Sequence, residues 1–119
     1  MVITERQVGS VAVLALSGKL TSDDSGVLTD KVSRLVNAGL TSIVLNLGEL
    51  THMDSGGLGQ IISCRAIASD KGGIKLANLG RRIQDSLVMT KLIMVFDVYD
   101  SEQEAVASCE QSARERRIA

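Results

Sequence analysis

The segment Ser42-Ile43-Val44-Leu45-Asn46-Leu47 constrains the fold more than any other stretch of this chain. It is short, rich in branched apolar residues and bounded by polar or glycine residues, the signature of a strand buried on both faces. A strand of that kind needs cover on both sides, which parallel neighbours joined by helical crossovers supply. The flanking sequence repeats the alternation. Val2 to Gln7 and Val11 to Leu16, separated by Val8-Gly9, predict a β-hairpin. From Ser22 to Gly39, Leu28, Val32, Leu35 and Val36 recur at helical spacing, with Asp23 and Asp24 near the start and Gly39 as the stop. A helix is expected from Ser55 to Asp70, then Gly72-Gly73, a strand over Ile74 to Leu79, a helix over Arg81 to Met89 and a strand over Ile93 to Val98. The last helix opens on Ser101-Glu102-Gln103-Glu104, which has the S-x-x-E form of a capping box. The order β β α β α β α β α predicts the α/β class: a small mixed sheet of four to five strands with an N-terminal hairpin and about four helices.

With 119 residues, no proline, no low-complexity tract and no internal repeat, residues 1–119 are expected to form a single domain. Aromatic residues are only 2% of the chain, so the core must be built from Val, Ile, Leu, Ala and Met, with Val32, Ile61, Ile62, Ile83, Val106 and Cys109 among its candidates. Thirteen Lys and Arg against 14 Asp and Glu leave a net charge of -1, which argues against nucleic acid as a partner. Arg114, Arg116 and Arg117 read as cations opposing the negative end of the last helix. The longest apolar run, Val11 to Leu16, is far short of the ~20 residues of a membrane helix, and a secretory leader is not recognisable at Met1 to Gly9. A cytoplasmic protein is therefore expected, with Cys64 and Cys109 as packed or idle thiols. No apolar patch demands self-association, so a monomer or weak homodimer is expected.

The chemistry concentrates in Gly48-Glu49-Leu50-Thr51-His52-Met53-Asp54-Ser55-Gly56-Gly57-Leu58-Gly59, between the buried strand and a helix. Asp54 suits the N-cap, because its carboxylate can accept from the free backbone N–H groups of the first turn. In that register Met53 and Leu58 take the positions of a hydrophobic staple, and Ser55 becomes the first helical residue with a solvent-facing hydroxyl. Asp-Ser at a helix start is ordinarily only a cap. Gly56, Gly57 and Gly59 argue for more, since each costs up to about 1 kcal/mol of helix stability relative to Ala. Glycines would leave bare surface around one hydroxyl, so Ser55 reads as a substrate for modification rather than as a catalyst.

Gly18-Lys19-Leu20 with its preceding Ser17, the segment 42–59 and KGGIKLANLGRRI at 71–83 together resemble the STAS domain family, in particular the bacterial anti-sigma factor antagonists. The resemblance spans nearly the whole chain. It implies that Ser55 is phosphorylated by an anti-sigma factor that is also a serine kinase of the GHKL ATPase type. The unphosphorylated antagonist would bind that kinase and free the sigma factor; phosphorylation would switch binding off, and a PP2C-type phosphatase would reset it. The implied partner surface comprises Asp54, Gly56, Gly57, Leu58 and Gly59. Two departures from the family pattern stand out. Gly56 occupies a place where relatives carry Ser, Thr or Ala, and Thr21 stands where the family often has aspartate, leaving Thr21, Asp23 or Asp24 to take over that contact.

Asp54-Ser55-Gly56-Gly57 also matches the nucleophile segment of trypsin-like proteases, but the chain is too short for two barrels and its lone His52 lies in the same tight segment. His52 has no companion at ligand spacing, so neither a metal nor a catalytic role is expected for it, and it reads as a loop residue. The glycines match no phosphate-binding loop, so no cofactor is expected and any ATP belongs to the partner. The rival within the same fold is a STAS scaffold or ligand-sensing module, in a stressosome-like or transporter-associated complex.

Overall fold

In a computed structural model of the chain, residues 1–24, 26–40, 42–68 and 73–118 are described, with the backbone alone from 111 onward. Five strands form one sheet in the order β1-β2-β3-β4-β5. Strands β1 (Val2–Val8) and β2 (Val11–Leu20) make the expected antiparallel hairpin; β3 (Ser42–Met53), β4 (Gly73–Ala77) and β5 (Asp97–Tyr99) then add in parallel. The crossover helices α1 (Val27–Asn37), α2 (Ser55–Ala68) and α3 (Arg81–Met89) all cover one face, and α4 (Glu102–Ile118) covers the other. Sequential strand order forces this arrangement, because right-handed crossovers progressing in one direction all fall on the same side.

Packing on both faces accounts for the unbroken apolar runs. In β2, Ala12, Leu14 and Leu16 join the core under α1, α2 and α3, while Val11 and Val13 face α4. In β3, Ile43, Leu45 and Leu47 do the former and Val44 the latter. Helix α1 ends as its glycine predicts: Gly39 takes φ 93°, and Leu40 N–H returns to the Leu35 carbonyl at 2.9 Å. At the start of α4, Ser101 Oγ accepts from Glu104 N–H at 3.2 Å. The reciprocal bond of a capping box is not among its contacts. Glu102, at the first helical position and outside the box pair Ser101 and Glu104, accepts from Asn46 Nδ2 at 3.0 Å and pairs with Arg6 of β1.

Four expectations are corrected. Asp23 and Asp24 do not start the first long helix; they lie in a separate 3-10 turn, Ser22–Asp24, and α1 begins after Gly26 without a side-chain cap. The strand expected over Ile93 to Val98 shortens to β5, because Leu92–Met94 form another 3-10 turn whose Met94 is largely exposed. Ile62, read as core, is 43% exposed on α2. His52 is a strand residue, because β3 runs on to Met53, with its core-facing positions moving from Leu47 to Leu50 and Met53 across an irregular stretch of the β2–β3 ladder. The expected end of α2 at Asp70 and the side chains of Arg114, Arg116 and Arg117 lie outside the described residues.

Candidate functional site

Leu20 and Met53 are paired at the carboxyl ends of β2 and β3, so the segments that follow them leave the sheet side by side. One is the turn Thr21–Asp24; the other is Asp54 and the first turn of α2. Asp54 ties them together. Its Oδ1 accepts from Gly57 N–H at 2.8 Å, the N-cap bond expected from the sequence, and its Oδ2 accepts from Ser22 N–H at 3.3 Å. Its own N–H donates to the Leu20 carbonyl at 3.3 Å. Hydrogen bonds from Gly57 first, then from Ser22 and Gly56, hold the Asp54 carboxyl below the usual carboxylate range.

Ser55 is exposed as the first residue of α2, and its hydroxyl has no hydrogen-bond partner among the described residues. It stands on the rim of a shallow groove of about 260 Å³ between the start of α2 and the end of α3, lined by Met53, Leu58, Ser86 and Met89 among others. Met53 is buried and Leu58 packs against the same core, the placement a hydrophobic staple requires. Met89 is 84% exposed, so the groove is continuous with open apolar surface.

The glycines divide by role. A methyl group at Gly57 would lie 2.1 Å from the Leu20 carbonyl oxygen, and one at Gly56 would lie 2.6 Å from Ser22 Cβ. Both are therefore required by the close approach of α2 to the β2 end and its turn, rather than as bare surface, and Gly57 is buried. Around Gly59 a methyl would meet nothing within 4 Å, so only this glycine matches the uncrowded surface expected of all three.

In the turn, Asp24 points back to its own backbone, its Oδ2 accepting from Thr21 N–H at 2.9 Å, which holds its carboxyl below the usual range. Thr21 Oγ1 accepts from Asp23 N–H at 3.3 Å. The Asp23 side chain is exposed, so of the two aspartates weighed it is the one with an uncommitted carboxylate. Sequence reasoning missed Ser22, Gln60 and Met89. Gln60 alone carried a signal, as a polar residue on the stripe Gly57, Ile61, Cys64 and Ala68 that α2 buries. Among the described residues no group of three or more His, Cys, Asp and Glu has metal-binding geometry, and no helix is long and apolar enough to cross a membrane.

A mixed sheet with three crossover helices on one face, and an exposed serine beside the aspartate cap at the tip of the second, defines the α/β class of this domain. The STAS domain model matches residues 3–105, and the chain belongs to that family. It is 28% identical over 102 residues to an anti-sigma F factor antagonist of Paenibacillus polymyxa, covering 84% of this chain and 87% of that one. Its fold superposes on the phosphorylated form of the Bacillus cell fate determinant SpoIIAA with a TM-score of 0.70 at 22% identity, covering 90% and 98% of the two chains. It superposes equally on a sulfate transporter family protein of Wolinella succinogenes, with a TM-score of 0.71 at 15% identity over 90% of each chain.

Proposed function

We propose that this protein is an anti-sigma factor antagonist that is itself no enzyme, and that phosphorylation of Ser55 controls its binding to an anti-sigma factor serine kinase of the GHKL type. The observation that carries the reading is the Ser55 hydroxyl: exposed, free of hydrogen bonds among the described residues, and set on the rim of an apolar groove. The antagonist from Paenibacillus and the phosphorylated state of SpoIIAA support it.

In the unphosphorylated form the kinase covers Leu58, Met89 and the groove, with Asp54, Gly56, Gly59 and the turn carrying Thr21 and Asp23 beside them. Bound ATP loses its γ-phosphoryl group to Ser55 Oγ, ADP departs, and the hydroxyl proton goes to a base on the kinase. Asp54 is unsuited to be that base, because both its oxygens are held by backbone N–H groups that favour the ionised form without orienting it toward Ser55. The product carries about -1.5 to -2 charges at the positive end of α2, which gains roughly 0.3–1 kcal/mol there while Asp54 opposes it. The domain therefore keeps its fold. The bound kinase does not tolerate the dianion beside an apolar contact, so the complex dissociates. A PP2C-type phosphatase resets the switch by hydrolysing the ester. The site of action is the cytoplasm, and neither cofactor nor metal takes part on this side of the interface.

The test is to incubate the protein with a GHKL-type anti-sigma serine kinase of the same genome and ATP, and to map phosphate by peptide mass spectrometry. Modification at Ser55, persistent binding of Ser55→Ala and loss of binding by Ser55→Asp are the expected results. Stable large assemblies that survive both substitutions without phosphotransfer would favour a scaffold instead.

A further inference from the structure

We propose that Gln60 is a positioning residue of this site, an uncharged tether that keeps the Thr21–Asp24 turn beside Ser55 in both phosphorylation states; the inference rests on the antagonist reading above. Gln60 lies on the buried stripe of α2 and is 7% exposed. Its Nε2 donates to the Thr21 carbonyl at 3.0 Å. The same carbonyl accepts from Asp24 N–H at 3.0 Å, so it anchors the 3-10 turn that carries Ser22 and Asp23. Gln60 Oε1 is buried without a hydrogen-bond partner, the one such side-chain atom found among the described residues.

That orphan oxygen is informative. Flipping the amide would set an oxygen against the Thr21 carbonyl, so the orientation is fixed by the turn. Methionine would fill the same space with no polar atom left unpaired, so core stability gives no reason for an amide here. A folding rule broken about one and a half helical turns from the proposed acceptor serine marks a residue kept for what it holds.

What it holds follows from the second attachment of the turn. Asp54 Oδ2 reaches Ser22 N–H through a longer contact of 3.3 Å, and Asp54 adjoins Ser55 in the chain. A phosphate on Ser55 repels that carboxylate and competes for the N–H groups of the first turn of α2. The charged link therefore weakens on phosphorylation. The amide link, buried and neutral, does not respond. Gln60 thereby makes the switch one of charge at a surface of constant shape.

The test compares Gln60→Met with wild type and with Val106→Ala, a truncation on the opposite face of the sheet that lowers stability without touching the turn. Amide hydrogen exchange at Asp23 and Asp24, read by NMR, is expected to quicken about tenfold in Gln60→Met and to stay unchanged in Val106→Ala. With the kinase used above, KM for Ser55 phosphorylation rises about tenfold in Gln60→Met while kcat stays within about twofold. Wild-type exchange and KM in Gln60→Met, or equal changes in Val106→Ala, overturn the proposal. Should wild-type protein accept no phosphate at all, the antagonist reading falls, and the exchange comparison by itself still decides whether Gln60 holds the turn.

Discussion

Three glycines in the first five residues of α2 look equivalent in sequence, and the space around each separates them. Gly57→Ala drives a methyl into the Leu20 carbonyl oxygen, a backbone atom that cannot swing aside, and is expected to cost about 1–3 kcal/mol. Gly59→Ala meets open space on the same helix and should gain up to about 1 kcal/mol from propensity. Urea denaturation of the two variants checks the opposite signs. Asp54 gives a pH signature of its own. Because Gly57 and Ser22 hold its folded-state pKa down, its contribution is present above the unfolded pKa of about 3.9 and disappears as pH falls through the lower folded value. Asp54→Asn keeps an acceptor for Gly57 N–H but no longer titrates. Stability curves of wild type and variant should therefore converge on acidification from about pH 5 to pH 2, as read by urea melts across that range.

Among the elements, α4 is the one that covers its sheet face alone, and polar side chains fasten it. Lys75 of β4 is buried beneath it, its Nζ 3.1 Å from Ser108 Oγ and 3.3 Å from the Tyr99 hydroxyl, with Asp97 at 3.5 Å. Burial pulls the Lys75 pKa down, but the hydrogen bond that Lys75 donates to Tyr99, aided by the Asp97 carboxylate, outweighs it and the ammonium is retained. Tyr99 and Ser108 also share a 2.7 Å hydrogen bond of their own. Removing the cation therefore strands no partner. Lys75→Met is expected to keep stability within about 1 kcal/mol or to raise it, whereas Lys75→Glu buries a second negative charge beside the Asp97 carboxylate and should detach α4. Thermal melts and the loss of helical circular dichroism distinguish these outcomes. The elements legible in the sequence were those with an internal period or a chemical punctuation mark: the β1–β2 hairpin, α3 and the Gly39 stop. Ser22–Asp24 was misread because acidic residues favour the start of a 3-10 turn as well as that of a helix. Leu92–Met94 was misread because three apolar residues in a row carry no period that separates a strand from a tight turn.

The whole molecule is a sheet between unequal layers. The face under α1, α2 and α3 holds most of the large buried side chains, including Leu14, Leu45, Ile61 and Leu87, while α4 contributes Ala105, Val106 and Cys109 to a smaller cluster. Two cysteines report on the two layers. Burial pushes the Cys64 thiol up to about 12, and Cys109 is buried under α4. Site-resolved maleimide labelling at pH 8 with rising urea is expected to modify Cys109 first, through local opening of α4, and Cys64 only as the whole domain unfolds. Simultaneous labelling of both would mean that the two layers open as one unit.

The sequence by itself determined the alternation of strands and helices, the cap at Asp54 and the place of Ser55 as the first residue of the helix, because each depends on near neighbours in the chain: a period, a cap, a staple. Only the tertiary structure decided why Gly56 and Gly57 are glycines, which aspartate of the turn keeps a free carboxylate, and what Gln60 holds. Those answers arise where the ends of β2 and β3 bring residues more than 30 positions apart into van der Waals contact, and no local pattern encodes how closely two segments approach.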